Sequence, residues 1–503
     1  MCVCGNFHPG IFEQVSTTNA DAHLVRLFLA SEVKEGQDLV SADVRNAFLN
    51  AEMSNSVLIL MRPPSELVKM GIVGANTTWV CRKACYGLKE APKMWEEHRD
   101  KVLGDLSWEL NKKKFHLVQS IVHPSLWYIM KGPPLTSTPI DRYVPDGKQP
   151  YSADWLQGDR VGALLVYVDD ILGAGPRKIL TSFLDAVRQK WDLATPEYLG
   201  QQEGDVDSLR FLGMDIEQGR EENTWVIHQQ AFTLEVLERV CPSLLLRRMS
   251  VPGQPESFGQ QQTIEKEQGT SKSDRLDLSE EATLPSLVGS LLWLSLRTRP
   301  DIAWAVSRIA SLATEHPLEA WRRVKHVLQY LRWTLDFGMV FTPHNDHHLY
   351  CFTDASLSPT GERSHQGIAI YWGPNLIAWQ SNRQSLVATS SAEAELIACV
   401  AGAQLSQALQ VQLGEYHQQS IPLSLRCDNS AVIQLVHHLS SSSTRTRHLA
   451  MRAAWLHDLV SRQHLSLEFV SSGDQKADSL TKGLSAALNS KAQCHFCLGK
   501  IRE

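Results

Sequence analysis

The sequence predicts an α+β architecture built in successive blocks, and three observations predict it. "LLVYVDDILGAG" (164–175) is an apolar run interrupted by two aspartates, which reads as a β-hairpin with charge at its tip. Residues 284–340 place Leu, Trp, Ile and Val at helical spacing. From about residue 346 onward, short apolar runs alternate with helical segments in the order strand, strand, strand, helix, strand, helices, strand, helix, which predicts a mixed sheet covered by helices. A chain of 503 residues is long enough for roughly two to four domains, each with its own core.

Residues 1–250 mix strand and helix patterns. Within them, the polar, proline-rich stretch 131–160 reads as an insertion just before the double aspartate. Residues 251–283 are polar, charged and nearly free of large apolar side chains, the signature of a linker. The helical block 284–345 breaks at Pro300 and Pro317. In the last block, 346–488, "LYCFTDAS", "QGIAIYWG" and "LIAWQSNR" are the first three strands, the last two joined through Gly373-Pro374-Asn375. "SSAEAELIACVAGAQL" is a helix, "LSLRCDN" a strand, "LSLEFVSS" the final strand and "ADSLTKGL" a closing helix. Residues 489–503 are expected to form a frayed tail.

Ten scattered cysteines lack the dense spacing of a disulfide scaffold, so a reducing, intracellular setting is expected. Cys2, Cys4, Cys494 and Cys497 are expected to be free thiols in mobile ends. A net charge of −6 excludes a uniformly polyanion-binding surface and leaves only local basic stretches, 321–333 and 444–452. No apolar run approaches the roughly 20 residues of a membrane helix, and the N-terminus lacks a signal-peptide layout, so a soluble protein is expected.

Adjacent side chains of a strand point to opposite faces, so Asp169 and Asp170 can share one site only where the chain turns. Aspartate is also an ordinary turn residue, and that stretch alone leaves both readings open. A third carboxylate, Asp43, ends another apolar strand in "LVSADVRNAFLNAEM". Two carboxylates about 4 Å apart repel by about 4 kcal/mol at an effective dielectric near 20. Such a cluster must protonate or hold cations.

The last block repeats the pattern, with Asp354 ending the first strand, Asp428 ending the fourth and Asp478 opening the closing helix. Its long helix offers Glu393 and Glu395. Ser390-Ser391-Ala392-Glu393 fits a capping box, which occupies Glu393 and leaves Glu395 as the expected ligand.

"YVDD", the Asp-x-x-x-Ala-Phe-Leu-Asn around Asp43, "CYGLKEAPKMW" (85–95), "FLGMDI" (211–216) and "RTRPDIAWAVS" (297–307) together resemble the reverse transcriptase of copia-type retrotransposon Pol polyproteins. "SSAEAEL", "CDNS" and "ADSLTKGL" resemble the ribonuclease H fused to it. The resemblance implies a fingers and palm region in 1–250, a helical thumb or connection in 284–345 and a ribonuclease H-like domain in 346–488. It implies Asp43 and Asp169 as main metal ligands assisted by Asp170, Phe48 as the side chain that crowds a ribose 2′-hydroxyl, and Tyr86, Gly87 and Lys89 beside nucleotide and template. Asp354, Glu395, Asp428 and Asp478 would be the nuclease ligands, with two Mg2+ ions (or Mn2+) at each site. His448 matches a family position preceding a helix.

The implied partners are an RNA template, a DNA primer, an RNA–DNA hybrid and deoxynucleoside triphosphates, with no membrane, in a cytoplasmic virus-like particle or the nucleus. Two departures stand out: Glu90 replaces the family's usual Gln, and the chain starts where the family has a longer basic fingers segment, so an N-terminal truncation is expected. The alternative expectation is a polymerase-inactive relic that keeps ribonuclease H activity or hybrid binding.

Overall fold

A computed structural model describes residues 21–53, 59–133, 159–200, 202–240, 247–253, 283–358, 363–438 and 447–501. Most of the expected linker and insertion, Cys2, Cys4 and the side chain of His448 lie outside these described residues. The described chain forms two compact units, one from residues 36–209 and the other from 22–35 and 210–501.

The first unit is organised by a seven-stranded antiparallel sheet. Its strands are β1 (Asp38–Asp43), β4 (Ser107–Leu110), β5 (Lys113–Gln119), β6 (Leu126–Lys131), β7 (Asp159–Tyr167), β8 (Asp170–Gly175) and β9 (Glu197–Leu199), in the order β4-β5-β6-β7-β8-β1-β9. β2 (Ile59–Met61) and β3 (Trp79–Cys81) form a separate ribbon. The helix Arg177–Arg188 buries Leu180, Phe183, Leu184 and Val187, an i, i+3, i+4, i+7 stripe that packs with Trp95 and Leu103 of the helix Ala91–Gly104 onto Leu164, Val166 and Ile171 of the sheet. The proline-rich stretch interrupts a hairpin, because β6 and β7 pair directly at its two ends, Lys131 opposite Asp159.

The second unit has two sheets. One contains β10 (Ser208–Phe211), β11 (Met214–Gln218), β12 (Trp225–His228), β13 (Phe337–Phe341) and β19 (Leu498–Lys500), in that order. Two expected boundaries are corrected here. Residues 210–240 fold with the second unit because β12 pairs with β13 and the helix Gln230–Glu238 packs among the helices of 284–333. The expected frayed tail is the helix Ala486–His495 followed by β19, held by Phe496 and Ile501 in the core and by the pairing of Gly499 with Gly338. The helical block consists of Leu284–Arg297, Ala303–Leu312 and Pro317–Trp333, with Pro300 opening a short 3-10 turn and Pro317 opening its helix. Beneath "RTRPDIAW", the buried Arg299 guanidinium donates two bonds to Asp301 (3.0 and 2.8 Å), and the Tyr330 hydroxyl donates to the same carboxylate at 2.6 Å.

The second sheet contains β14 (Leu349–Ser356), β15 (His365–Trp372), β16 (Asn375–Arg383), β17 (Leu423–Cys427) and β18 (Ser466–Phe469) in the order β16-β15-β14-β17-β18. The first three are antiparallel and the last two run parallel to β14, which is the ribonuclease H-like mixed sheet the resemblance implied. The β15–β16 turn is Gly373-Pro374 alone, with Gly373 at φ 54°, because Asn375 already pairs with Trp372. The helix Ser391–His417 has 27 residues and is long and apolar enough to cross a membrane, against the expectation that no segment is. Here its apolar surface covers the sheet instead, crossing β14 at Gly402, where a β-carbon would lie 2.4 Å from Thr353 Cγ2. The helix Ala22–Glu32 docks on the same sheet: Arg26 Nε donates to the Ile377 carbonyl (2.8 Å), and its guanidinium lies 4.0 Å from the Trp379 ring centroid.

Candidate active sites

The first site follows from strand pairing. β1 and β8 are neighbours, and Asp43 pairs directly with Asp170. On the other side of β8, Asp170 pairs with Tyr167, so the turn is Val168-Asp169 and Asp170 is already strand, not tip. Val168 adopts φ 53°, a left-handed conformation costly for a β-branched residue, and this tight reversal turns Asp169 toward the same side as its neighbour. Ligand oxygens of Asp43, Asp169 and Asp170 lie within 4.8 Å of one another.

The strained turn is held from the helix Ala91–Gly104. Trp95 Nε1 donates to the Val168 carbonyl at 2.6 Å, and Arg99 Nη1 donates to it at 3.4 Å. Trp95 closes the 85–95 motif, but nothing in the sequence marks it or Arg99 for this duty. Both are nearly fully buried polar-tipped side chains, which is a structural and not a sequence signal.

Phe48 sits half-buried in the 3-10 turn Ala47–Asn50, and its ring packs against Tyr86 with centroids 4.6 Å apart and planes tilted by 45°. Gly87 follows with φ 97°, a conformation that requires glycine, and Lys89 is exposed on the same turn. Glu90 is buried at the start of the helix Ala91–Gly104. Burial pushes Asp170 up to about 6, with Asp169 and Asp43 adding to it, and burial also raises Asp169. The Tyr86 hydroxyl is raised by burial and by the charges of Asp169 and Asp43. Three convergent carboxylates that resist charging together fit a hard divalent cation with oxygen ligands.

The second site lies at one end of the mixed sheet. β14 and β17 are parallel with Thr353 opposite Cys427, so Asp354 and Asp428, each one residue further, emerge side by side. The long helix brings Glu395 to the same end. Ser390 accepts from the Glu393 amide at 3.2 Å, and the Glu393 carboxylate accepts from the amide and hydroxyl of Thr389 at 2.7 Å. Glu393 therefore caps as expected, though onto Thr389 and not onto Ser390. Asp478 begins a single 3-10 turn, Asp478–Leu480, where a closing helix was expected.

The neighbouring carboxylates shift Glu395 and Asp354. Burial, then Asp354, Cys427 and Asp428, push Glu395 up to about 10. Burial and the charges of Asp478 and Asp428 hold Asp354 at about 6, against a hydrogen bond from the Thr481 hydroxyl. Three partners escaped the sequence reading. Cys427 Sγ lies 3.9 Å from Glu395 Oε2, Ser472 donates to Asp428 at 2.9 Å, and Lys482 pairs with Asp478. Burial pulls the Lys482 ammonium down, but Asp478, Asp354 and Asp428 outweigh it and raise it. Thr481 and Lys482 stand inside the quoted "ADSLTKGL", where their proximity to Asp478 was available as a signal. Ligand atoms of Glu395, Cys427 and Asp428 lie within 4.8 Å of one another, while Asp354 and Asp478 fall outside that group; the acidic end of the sheet, with Lys482 as counter-charge, suits a hard divalent cation.

Comparison with known proteins agrees with these features. Residues 6–119 match the family "Reverse transcriptase (RNA-dependent DNA polymerase)". The chain is 28% identical over 495 residues to the retrovirus-related Pol polyprotein from transposon RE2 of Arabidopsis thaliana, covering 95% of this chain and 29% of that protein. It is 26% identical over 480 residues to the corresponding polyprotein from transposon TNT 1-94 of Nicotiana tabacum, covering 94% of this chain and 32% of that one. The chain thus spans less than a third of the length of these relatives. Among solved structures, RNase H1 of Halobacterium salinarum aligns with 27% of this chain and 94% of its own, at 13% identity and a TM-score of 0.22. Ordered motifs at both acidic sites, and alignment along nearly the whole chain, make this protein similar to the retrovirus-related Pol polyproteins of copia-type transposons.

Proposed function

We propose that this chain carries two phosphodiester chemistries: RNA-directed synthesis of DNA at Asp43, Asp169 and Asp170, and cleavage of the RNA strand of an RNA–DNA hybrid at Asp354, Glu395, Asp428 and Asp478. The observation that carries the reading is the direct pairing of Asp43 with Asp170, which brings three carboxylates from two distant segments onto one face. At each site the carboxylates would hold a pair of Mg2+ ions, with Mn2+ as a substitute. When bound, these ions activate the attacking hydroxyl or water and neutralise charge on the phosphate being transferred or cut.

The chain's own residues supply position and selection. The Trp95 bond to the Val168 carbonyl fixes the turn that aims Asp169. Phe48, braced by the Tyr86 ring, presents an apolar wall to the ribose and so disfavours a 2′-hydroxyl. Gly87 leaves room for close approach of a nucleotide, and Lys89 offers charge to its phosphates. At the second site, Thr481 and Lys482 hold Asp354 and Asp478 in place, and recognition rests on the 2′-hydroxyls and groove shape of a hybrid.

Primer extension on an RNA template and cleavage of a labelled hybrid, both with Mg2+, test this in the native chain, Asp169→Ala and Asp478→Ala. The expected result is loss of extension alone in the first variant and of cleavage alone in the second. Absence of both activities in the native chain overturns the reading.

A further inference from the structure

Beside the first site lies a pair of thiols that the proposed chemistry does not use. Cys81 ends β3, Cys85 follows four residues later, and their Sγ atoms are 3.4 Å apart. Both point at one acceptor, the Lys83 carbonyl, at 2.9 and 3.4 Å, so the intervening loop holds the two sulfurs face to face. The rest of that loop is anchored: the Ala84 amide donates to the Ala51 carbonyl and the Met53 amide to the Arg82 carbonyl, each at 2.9 Å. Cys81 is 4% exposed within a small core with Ala84, Leu88 and Ala91, whereas Cys85 is half-buried and reachable from solvent.

We propose that Cys81 and Cys85 are a site of reversible oxidation, closing to a disulfide that shifts Tyr86 off Phe48. A hydroperoxide is the oxidant. Its terminal oxygen transfers to Cys85 Sγ, giving a sulfenic acid and, from hydrogen peroxide, one water. Cys81 Sγ then attacks Cys85 Sγ, the new S–S bond forms, and the sulfenic hydroxyl leaves with the Cys81 proton as a second water. Two thiols and one peroxide thus yield one disulfide and two waters.

The 3.4 Å contact must shorten by roughly 1.3 Å to reach a disulfide bond length. Cys81 is fixed in its strand and core, so Cys85 moves and Tyr86, the next residue, moves with it. The tilted Phe48–Tyr86 ring contact at 4.6 Å therefore opens in the oxidised form. The activity consequence rests on the polymerase reading above, whereas the disulfide and the shift do not.

The test uses the sequence between the sulfurs. Trypsin cuts after Lys69, Arg82, Lys83 and Lys89, so Cys81 and Cys85 fall in separate peptides, 70–82 and 84–89, joined only by a disulfide. After treatment of the whole chain with hydrogen peroxide, mass spectrometry is expected to find this linked pair, to lose it on addition of dithiothreitol, and to find none in Cys85→Ser. Hydrogen–deuterium exchange of segments 84–91 and 46–53 is expected to rise on oxidation of the native chain and to stay unchanged in Cys85→Ser. Primer extension is expected to fall, up to about 100-fold for a misplacement on the order of 1 Å, and to return with dithiothreitol. No linked pair, or a linked pair without a change in exchange, overturns the proposal. A chain that forms the pair and changes its exchange but extends no primer even when reduced speaks against the polymerase reading and leaves the thiol site supported.

Discussion

Gly367 lies directly opposite Asp354 in the β14–β15 ladder, and a β-carbon there would stand 2.8 Å from both the Ala477 carbonyl and Leu480 Cβ. The segment that carries Asp478, Thr481 and Lys482 therefore rests on a bare stretch of β15 next to the carboxylate it serves. Gly367→Ala should displace this segment, because both obstructing atoms are rigid. Hybrid cleavage is expected to drop about 100-fold while primer extension is unchanged, and overpacking is expected to lower stability by about 1–3 kcal/mol. Paired activity assays and a urea melt check both parts.

Trp95→Phe keeps the buried ring but removes the donor that meets the Val168 carbonyl at 2.6 Å. Arg99, at 3.4 Å, is too long to replace it. Leaving that carbonyl short of its partner costs about 1–3 kcal/mol and frees the left-handed turn. Extension should fall at least as much as stability does, and cleavage should persist. A variant that melts earlier but extends primers at the native rate would show that the turn needs no such brace.

The carboxylate shifts give a pH dependence of defined sign. Asp170 and Asp354 titrate near 6 in the folded chain against an ordinary 3.8, and Glu395 near 10 against 4.5. The folded state holds these protons more tightly, so their contribution to stability is complete below the ordinary values and is lost as pH rises through the folded ones. In chelator, thermal stability should therefore lose ground from about pH 4 to 6 and, through Glu395, on toward 10. Mg2+ should restore it and release protons on binding near pH 6 to 7. Glu395→Gln in chelator at pH 8 should melt higher than the native chain, as scanning fluorimetry can show.

The Arg299–Asp301–Tyr330 cluster is wholly buried. Asp301→Ala strands a buried guanidinium and should cost about 3–5 kcal/mol, whereas Tyr330→Phe removes the bond donated to Asp301 and the bond accepted from Gln493 at 2.7 Å and should cost about 1–3 kcal/mol. Chemical denaturation of the two variants ranks them, and equal losses would contradict the network.

Much of the architecture could be read directly from the chain. The strands of the last block, the breaks at Pro300 and Pro317 and the capping role of Glu393 follow from periodicity, proline geometry and capping, all of which act within a few residues. Asp43, Asp169, Asp170, Asp354, Asp428 and Asp478 were visible for a related reason: a charge at the end of an apolar strand is anomalous in one dimension. Tertiary structure alone decided which of these charges meet, through the β1–β8 register and the parallel β14–β17 pair. It also decided what steadies them, namely Trp95 under the Val168 turn, Gly367 under the Asp478 segment, and Lys482 as counter-charge. The same holds for the strand β19 and the helix Ala22–Glu32, which close their sheet partners from opposite ends of the chain. Periodicity records only neighbours along the sequence, whereas these contacts join residues tens to hundreds of positions apart, and packing in three dimensions is the interaction that selects them.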